Sequence, residues 1–234
     1  ELMCETISYV DFDTLINARE KWYLGYSDNT NFIFPMLTRG DIEGIYGPCF
    51  CSFGKEWDLT EKYCFDILEG KCFSFHGFDR FVDPLFDSED PFAKYNLTED
   101  KILSSYVPVN GRLVKASDDD EIVMKGILTG GCLDILINFL GTDIVDMKGY
   151  QVRHKDIILV IEACDLTPMG IRRGLWEMKH SDWLRNIRGF ICGRPLTAFS
   201  MDQLGVNRIN AVLPMLEELN VPVILDADIG HIDP

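Results

Sequence analysis

Ile157-Ile158-Leu159-Val160-Ile161-Glu162 decides the fold of this 234-residue chain. Five apolar residues in a row, four of them β-branched, are too few for a free-standing helix and read as a buried strand. The run ends directly in Glu162. A carboxylate that closes an apolar strand is costly to bury without a partner, so Glu162 demands one. Downstream, residues 171–186 have helical spacing, 189–193 form an apolar strand, 207–219 a second helix, and Val221-Pro222-Val223-Ile224-Leu225 another strand. Upstream, Leu133 to Leu140 reads as a helix. Strands alternating with helices argue for βα units and a largely parallel sheet. Residues 126–234 are therefore expected to form a C-terminal α/β domain.

The last of these strands leads into Asp226-Ala227-Asp228-Ile229-Gly230-His231. A histidine just beyond a strand and a glycine lies on a loop at the sheet's edge, where open α/β sheets build their sites. Near the other end, Gly25-Tyr26-Ser27-Asp28 sits between Trp22-Tyr23-Leu24 and a helix-compatible run from Asn29 to Thr38, stopped by Gly40. Strand, sharp turn and helix would lift a hydroxyl out of the sheet. Backbone N–H groups at the helix start can then receive a developing oxyanion. Gly25 permits the tight approach. Asn29 stands where the G-x-S-x-G elbow has its second glycine, so the turn is not evidently that of an α/β-hydrolase. Ser27 or Asp28 could equally be an ordinary helix N-cap. Ser27, Glu162 and His231, each at the end of a strand-like segment, fit the nucleophile, orienter and base of acyl transfer. Three unrelated polar residues at strand ends would give the same pattern.

Composition narrows the class. Hydrophobic residues make up 47% of the chain, which is globular rather than disordered. The net charge of −16 leaves no broad basic stripe for nucleic acid or an anionic membrane surface. No apolar run reaches the ~18 residues of a membrane span. Asp87-Ser88-Glu89-Asp90 and Asp118-Asp119-Asp120-Glu121 read as solvated loops. Cys132, Cys164 and Cys192 lie in or beside apolar segments and read as small buried hydrophobes. Cys49, Cys51, Cys64 and Cys72, with His76 nearby, do not have the paired short spacings of a zinc site. Reduced thiols in a cytoplasmic protein are the simpler account. Residues 49–125 read as irregular and aromatic-rich, with Leu59 to Leu68 helical and Gly70 as its stop. Their aromatics either fill core or form a wall that stacks on substrate.

Three blocks resemble the LD-carboxypeptidase family of serine peptidases, which includes the microcin C immunity peptidases. They are Leu24-Gly25-Tyr26-Ser27-Asp28-Asn29-Thr30 with Gly44-Ile45-Tyr46-Gly47-Pro48; Thr129-Gly130-Gly131-Cys132-Leu133 with Leu140-Gly141-Thr142 and Ile158 to Glu162; and Gly189 to Pro195 with Pro222 to Leu225 and Gly230-His231-Ile232-Asp233-Pro234. Their order matches the family's, and together they span most of the chain. The resemblance implies an α/β fold of two domains. The nucleophile turn would belong to an N-terminal α/β unit whose end is residues 1–48, residues 49–125 would be an insertion, and the C-terminal domain would carry Glu and His.

The resemblance also implies Ser27 as nucleophile, Glu162 as orienting carboxylate, His231 as general base and Asp28 N–H as one oxyanion donor. Cys132 departs from the asparagine that usually follows the two glycines. Family members carry a glycine-rich loop before the nucleophile that supplies the other oxyanion N–H. Only 26 residues precede Ser27 here, so residues at both ends are expected to lie outside this sequence.

The implied activity is hydrolysis of an amide next to a free carboxylate, without metal or cofactor. The substrate would be a small peptide or peptidyl-nucleotide, and a homodimer is compatible with this. Microcin-immunity-type action on aminoacyl-nucleotides and murein LD-carboxypeptidase action on tetrapeptide are the two substrate alternatives. The immunity branch places a tryptophan in its insertion; Trp57 is the tryptophan within 49–125, and Phe86 or Phe92 could stand in. Arg112, Arg172, Arg173 and Arg194 are the candidates for binding a substrate carboxylate. A non-catalytic binding module on the same scaffold is the rival class. A glutamine-amidotransferase-like enzyme would need cysteine where Ser27 stands.

Overall fold

The computed structural model describes residues 2–74, 76–84, 90, 93 and 95–232. In chain order the elements are α1 (Met3–Ile7), α2 (Phe12–Ile16), α3 (Thr30–Gly40), α4 (Leu59–Leu68), β1 (Arg80–Phe81), β2 (Glu99–Asp100), β3 (Ser104–Val109), β4 (Arg112–Lys115), β5 (Ile127–Cys132), α5 (Leu133–Leu136), α6 (Met147–Arg153), β6 (Ile157–Glu162), α7 (Pro168–His180), β7 (Ile187–Gly193), α8 (Arg208–Leu216) and β8 (Val223–Ala227). The protein is mixed α/β around one six-stranded sheet of order β4-β3-β8-β7-β6-β5. From β5 to β8 neighbouring strands are parallel. β3 joins β8 antiparallel and carries β4 as its hairpin partner. The parallel half follows the expected βα alternation.

Strand β6 lies inside the sheet, and Ile157, Leu159 and Ile161 are buried in the main core with Phe190, Val223 and Leu225 from β7 and β8. Helices α5, α7 and α8 contribute Leu133, Leu136, Ile171, Leu175, Ala211 and Leu216 to the same core. Burial of each of the larger side chains among these contributes about 1.5–3 kcal/mol, and that is what holds the helices on the sheet. A smaller cluster of Ile7, Phe12 and Met36 ties α1 and α2 to α3.

Several elements depart from the sequence pattern for identifiable reasons. Helix α7 begins at Pro168, ahead of residue 171, because Thr167 caps it by accepting from Gly170 N and proline suits the first turn. It stops at His180 rather than 186, and Asp182 and Asn186 then take left-handed backbone. The strand expected over 22–24 is a single parallel bridge, Leu24 to Ile45. The helix after the Gly25-Tyr26-Ser27-Asp28 turn starts as one 3₁₀ turn, Ser27–Asn29, before α3. Strands β3 and β4 come from the segment expected to be irregular. Their turn, Asn110-Gly111, has φ of 52° and 77°, the positive pair that an Asn-Gly hairpin favours.

Strand β5 escaped notice because Gly130 and Gly131 depress strand propensity. Both glycines are required by packing. At Gly130, φ is +150° and an added Cβ would stand 1.7 Å from the Val160 carbonyl oxygen on β6. At Gly131 it would meet the Thr30 side chain at 2.7 Å, so the glycine lets the start of α3 abut β5. Gly130→Ala is accordingly expected to destabilise the protein by about 3 kcal/mol or more, through strained backbone and a forced strand separation. The check is the midpoint of urea unfolding. A loss under about 1 kcal/mol would contradict this account of β5, since that is an ordinary surface-level effect.

Candidate active site

Glu162 is the last residue of β6, and its side chain has no exposed surface. The space for it is cut by two glycines. An added Cβ at Gly230 would lie 2.6 Å from Glu162 Oε2, and one at Gly193 would lie 3.0 Å from Glu162 Cβ. The turn beyond Glu162 is fixed by Asp134, whose carboxylate accepts from the backbone N–H of Cys164, Asp165 and Leu166.

His231 is placed by the end of β8. Asp226 has a φ of 60° inside that strand, at a break in the β7–β8 register, and the irregularity redirects the chain. Two ion pairs hold the redirected segment: Arg208 Nε to Asp226 Oδ1 at 2.8 Å and Arg194 Nη1 to Asp228 Oδ1 at 2.8 Å. Asp228 also accepts from Phe78 N at 2.9 Å, tying the loop to the segment 49–125. Ile232, just past the histidine, is buried with Phe81 and Val82. His231 is thus held from both sides along the chain.

Ser27 arrives from the other end of the sequence. It takes a left-handed φ of 58°, uncommon for any residue but glycine. Thr30, buried at the start of α3, accepts from Cys132 N at 3.0 Å and so seats the turn against the end of β5. Tyr26 lays its ring 5.1 Å from that of His231. These constraints bring the three side chains together. His231 Nδ1 is 2.7 Å from Glu162 Oε2, and His231 Nε2 is 2.7 Å from Ser27 Oγ. A carboxylate can only accept, so Nδ1 carries a proton toward Glu162; in the neutral ring, the form that acts as a base, Nε2 is then left to accept from the serine.

One residue in the site had no role in the sequence reading. Tyr46 donates its hydroxyl to Glu162 Oε1 at 2.5 Å and accepts from Ser27 N at 3.0 Å. Its only sequence signal was its place in Gly44-Ile45-Tyr46-Gly47-Pro48. Asp28, named as an oxyanion donor, lies in the same 3₁₀ turn as Ser27, and its side chain accepts from Met3 N and Asn31 Nδ2. Cys132, in place of asparagine, is buried; burial and the neighbouring Glu162 push its thiol pKa up, so it stays neutral.

Of the arginine candidates, Arg194 is fully buried and committed to Asp228, with its guanidinium 4.4 Å from the Phe81 ring centroid. Arg112 and Arg173 are exposed, on β4 and α7, and Arg172 is half-buried on α7. Trp57 stacks on Phe65 at 4.4 Å and donates its indole N–H to Phe53 O, forming an aromatic cluster within residues 49–125. Phe86 and Phe92 lie outside the described residues, as do Asp87, Ser88 and Glu89 of the first acidic cluster and Asp233 and Pro234 of the last resemblance block. Among the described residues there is no cluster of three or more His, Cys, Asp or Glu arranged to hold a metal ion, and no helix long and apolar enough to cross a membrane.

Burial is the largest influence on His231 and favours its neutral form, but contacts with Cys164 and Glu162 and the Glu162 charge outweigh it and raise the imidazole pKa. The ring is therefore expected to titrate above the ordinary histidine value of about 6.5, staying protonated to higher pH. NMR titration of the His231 ring checks this. Glu162→Gln should bring the pKa down, because the stabilising charge is removed. A pKa at or below about 6.5 in the unaltered protein would contradict the geometry.

Comparison with known proteins agrees with this architecture. Residues 125–234 match the family described as LD-carboxypeptidase C-terminal domain. A Synechocystis sp. protein named as a candidate carboxypeptidase is 23% identical over 215 residues, covering 92% of this chain and 56% of its own length. A similarly named Rickettsia prowazekii protein is 28% identical over 133 residues, covering 55% of this chain and 35% of its own length. The chain thus spans between about a third and somewhat over half of these curated relatives. Among solved structures, the MccF-like protein from Bacillus anthracis superposes with a TM-score of 0.67 at 20% identity, over 98% of this chain and 65% of its own. The microcin C7 self-immunity protein MccF in complex with aspartyl sulfamoyl adenosine does so with a TM-score of 0.69 at 19% identity, over 97% of this chain and 64% of its own. The match of residues 125–234 to the LD-carboxypeptidase C-terminal domain, the two carboxypeptidase-named relatives and the fold shared with the MccF structures together support an LD-carboxypeptidase- or MccF-like family for this chain.

Proposed function

We propose that this chain carries the catalytic machinery of a cytoplasmic serine carboxypeptidase that hydrolyses an amide next to a free carboxylate. The observation that carries the proposal is the continuous contact from Glu162 through His231 to Ser27, both links at 2.7 Å. Ser27 Oγ attacks the amide carbonyl carbon while His231 Nε2 takes the serine proton. The carbonyl oxygen becomes an oxyanion, for which Asp28 N–H is one donor. His231 then delivers the proton to the leaving amine, the C–N bond breaks, and an acyl-serine ester remains. Water, deprotonated by the same imidazole, hydrolyses the ester and restores Ser27. Glu162 keeps the proton-bearing nitrogen pointed away from serine and stabilises the imidazolium.

For substrate, a peptidyl- or aminoacyl-nucleotide is favoured over a murein tetrapeptide. The MccF structures superposable on this chain include complexes with aspartyl sulfamoyl adenosine and glutamyl sulfamoyl guanosine. The insertion also holds an aromatic cluster of Phe53, Trp57 and Phe65. Stacking a base on such a ring is worth about 1–3 kcal/mol, roughly tenfold to a hundredfold in preference. Murein peptides bring no aromatic ring to use it.

Ser27→Ala, and separately His231→Ala, should lower kcat by ~10³-fold or more while the unfolding transition is kept, because triad members act as a unit. Near-normal turnover by Ser27→Ala would refute the mechanism and favour a non-catalytic binding module. The substrate is tested by comparing kcat/KM for an aminoacyl-adenylate analogue and an LD-linked tetrapeptide. Turnover of the tetrapeptide faster by about tenfold, some 1.4 kcal/mol, would make murein recycling the function instead.

A further inference from the structure

The hydrogen bonds at the site close on themselves. Ser27 N–H donates to Tyr46, the Tyr46 hydroxyl donates to Glu162 Oε1, Glu162 Oε2 accepts from His231 Nδ1, and His231 Nε2 meets Ser27 Oγ. The circuit therefore begins at the backbone of the nucleophile and ends at its side chain. We infer that Tyr46 is a positioning residue of the triad, one hydroxyl that fixes the carboxylate's orientation and the nucleophile's backbone together. The inference rests on the assignment of Ser27, Glu162 and His231 as a triad.

Three features support it. First, the hydroxyl has a single proton. With Ser27 N–H occupying its acceptor side, that proton is left for Glu162, so the polarity of the circuit is set. Burial and the Glu162 charge also keep the phenol protonated. Second, Ser27 is left-handed, a conformation that persists only where surroundings over-determine it. Its N–H is anchored on Tyr46, and the adjoining backbone pairs through Gly25 N to Ile45 O and Ile45 N to Tyr23 O. The bridge that replaced the expected strand places residue 46 beside the turn. Third, Glu162 has two oxygens, and Tyr46 occupies the one that His231 does not. Without it, the buried carboxylate could rotate or take both oxygens to the imidazole.

The groups around the circuit decide the sign of the pH effect. Glu162 and Cys164 face His231, and Tyr46 and Cys132 face Glu162. Cys132, kept as a neutral thiol, is only a weak donor to Glu162, so Tyr46 is the stronger donor that draws carboxylate charge away from the imidazole. Its loss leaves more of that charge on His231. The imidazolium is then stabilised further, and the acid limb of the rate profile moves to higher pH.

The test is Tyr46→Phe, which deletes one oxygen and keeps the ring that packs edge-on against Tyr26. The readout is the second-order rate of Ser27 modification by a fluorophosphonate, followed across pH. The rate should fall roughly tenfold to a hundredfold, the worth of one hydrogen bond to a charged group. The acid limb should move up, whereas Glu162→Gln should move it down. An unchanged rate, or a lowered rate with the limb unmoved, would overturn the positioning role. Ser27→Ala, run in parallel, tests the triad separately; if it still reacts, the triad assignment fails whatever Tyr46 does.

A measurement on the unaltered protein covers the case of a Tyr46→Phe variant that does not fold. The Tyr46 hydroxyl and His231 Nδ1 protons, observed by NMR, should shift with a common titration midpoint. Independent midpoints, or a Tyr46 proton indifferent to His231, would overturn the inference.

Discussion

The structure around this site depends on one buried charge. The Glu162 carboxylate has no exposed surface, and an isolated ion there would cost several kcal/mol. That cost is offset by charge-assisted hydrogen bonds, one on each oxygen, from His231 and Tyr46. Both partners come from distant parts of the sequence, so satisfying Glu162 also docks the Ser27 segment and the His231 loop onto the end of β6. The glycines at 193 and 230 leave room for the side chain, because any Cβ there would intrude on it or on the Ile229 backbone. The main core places the strand, and the strand's terminal charge gathers the site.

Two residues with left-handed backbone stand where the chemistry is proposed. Ser27 and Asp226 are both left-handed, and each is braced, Ser27 by Tyr46 and Asp226 by Arg208. Such conformations cost of order 1–3 kcal/mol each and need surrounding structure to hold them. At Asp226 the left-handed residue turns the strand out of register, so that the chain reaches the C-terminal edge of β6 rather than continuing along the sheet. At Ser27 it presents the hydroxyl to the imidazole. The hydrogen bond between Phe78 and Asp228 ties the aromatic-rich segment 49–125 to the same loop that carries His231.

The parallel half of the sheet was legible because its strands are uninterrupted apolar runs separated by helical spacing. Ser27, Glu162 and His231 were singled out because each stands at the end of such a run, where a polar residue is conspicuous, and because the surrounding blocks resemble one family. Strand β5 was not legible, since Gly130 and Gly131 serve backbone clearance that propensity does not register. The β3–β4 hairpin carried a signal in Asn110-Gly111, but it was set among aromatics and acidic loops that hid it. Tyr46 had no pattern of its own. A hydroxyl that bridges a backbone N–H and a carboxylate 116 residues away becomes visible only when the chain is folded.

The central claim is that residues far apart in sequence form one activated serine, and mapping covalent modification tests it most directly. After exposure of the folded protein to a fluorophosphonate, the label should be found by mass spectrometry on the peptide containing Ser27. It should be absent when the protein is unfolded in urea, and strongly reduced in His231→Ala. Labelling of a different serine, no labelling of the folded protein, or equal labelling with and without His231 would contradict the account.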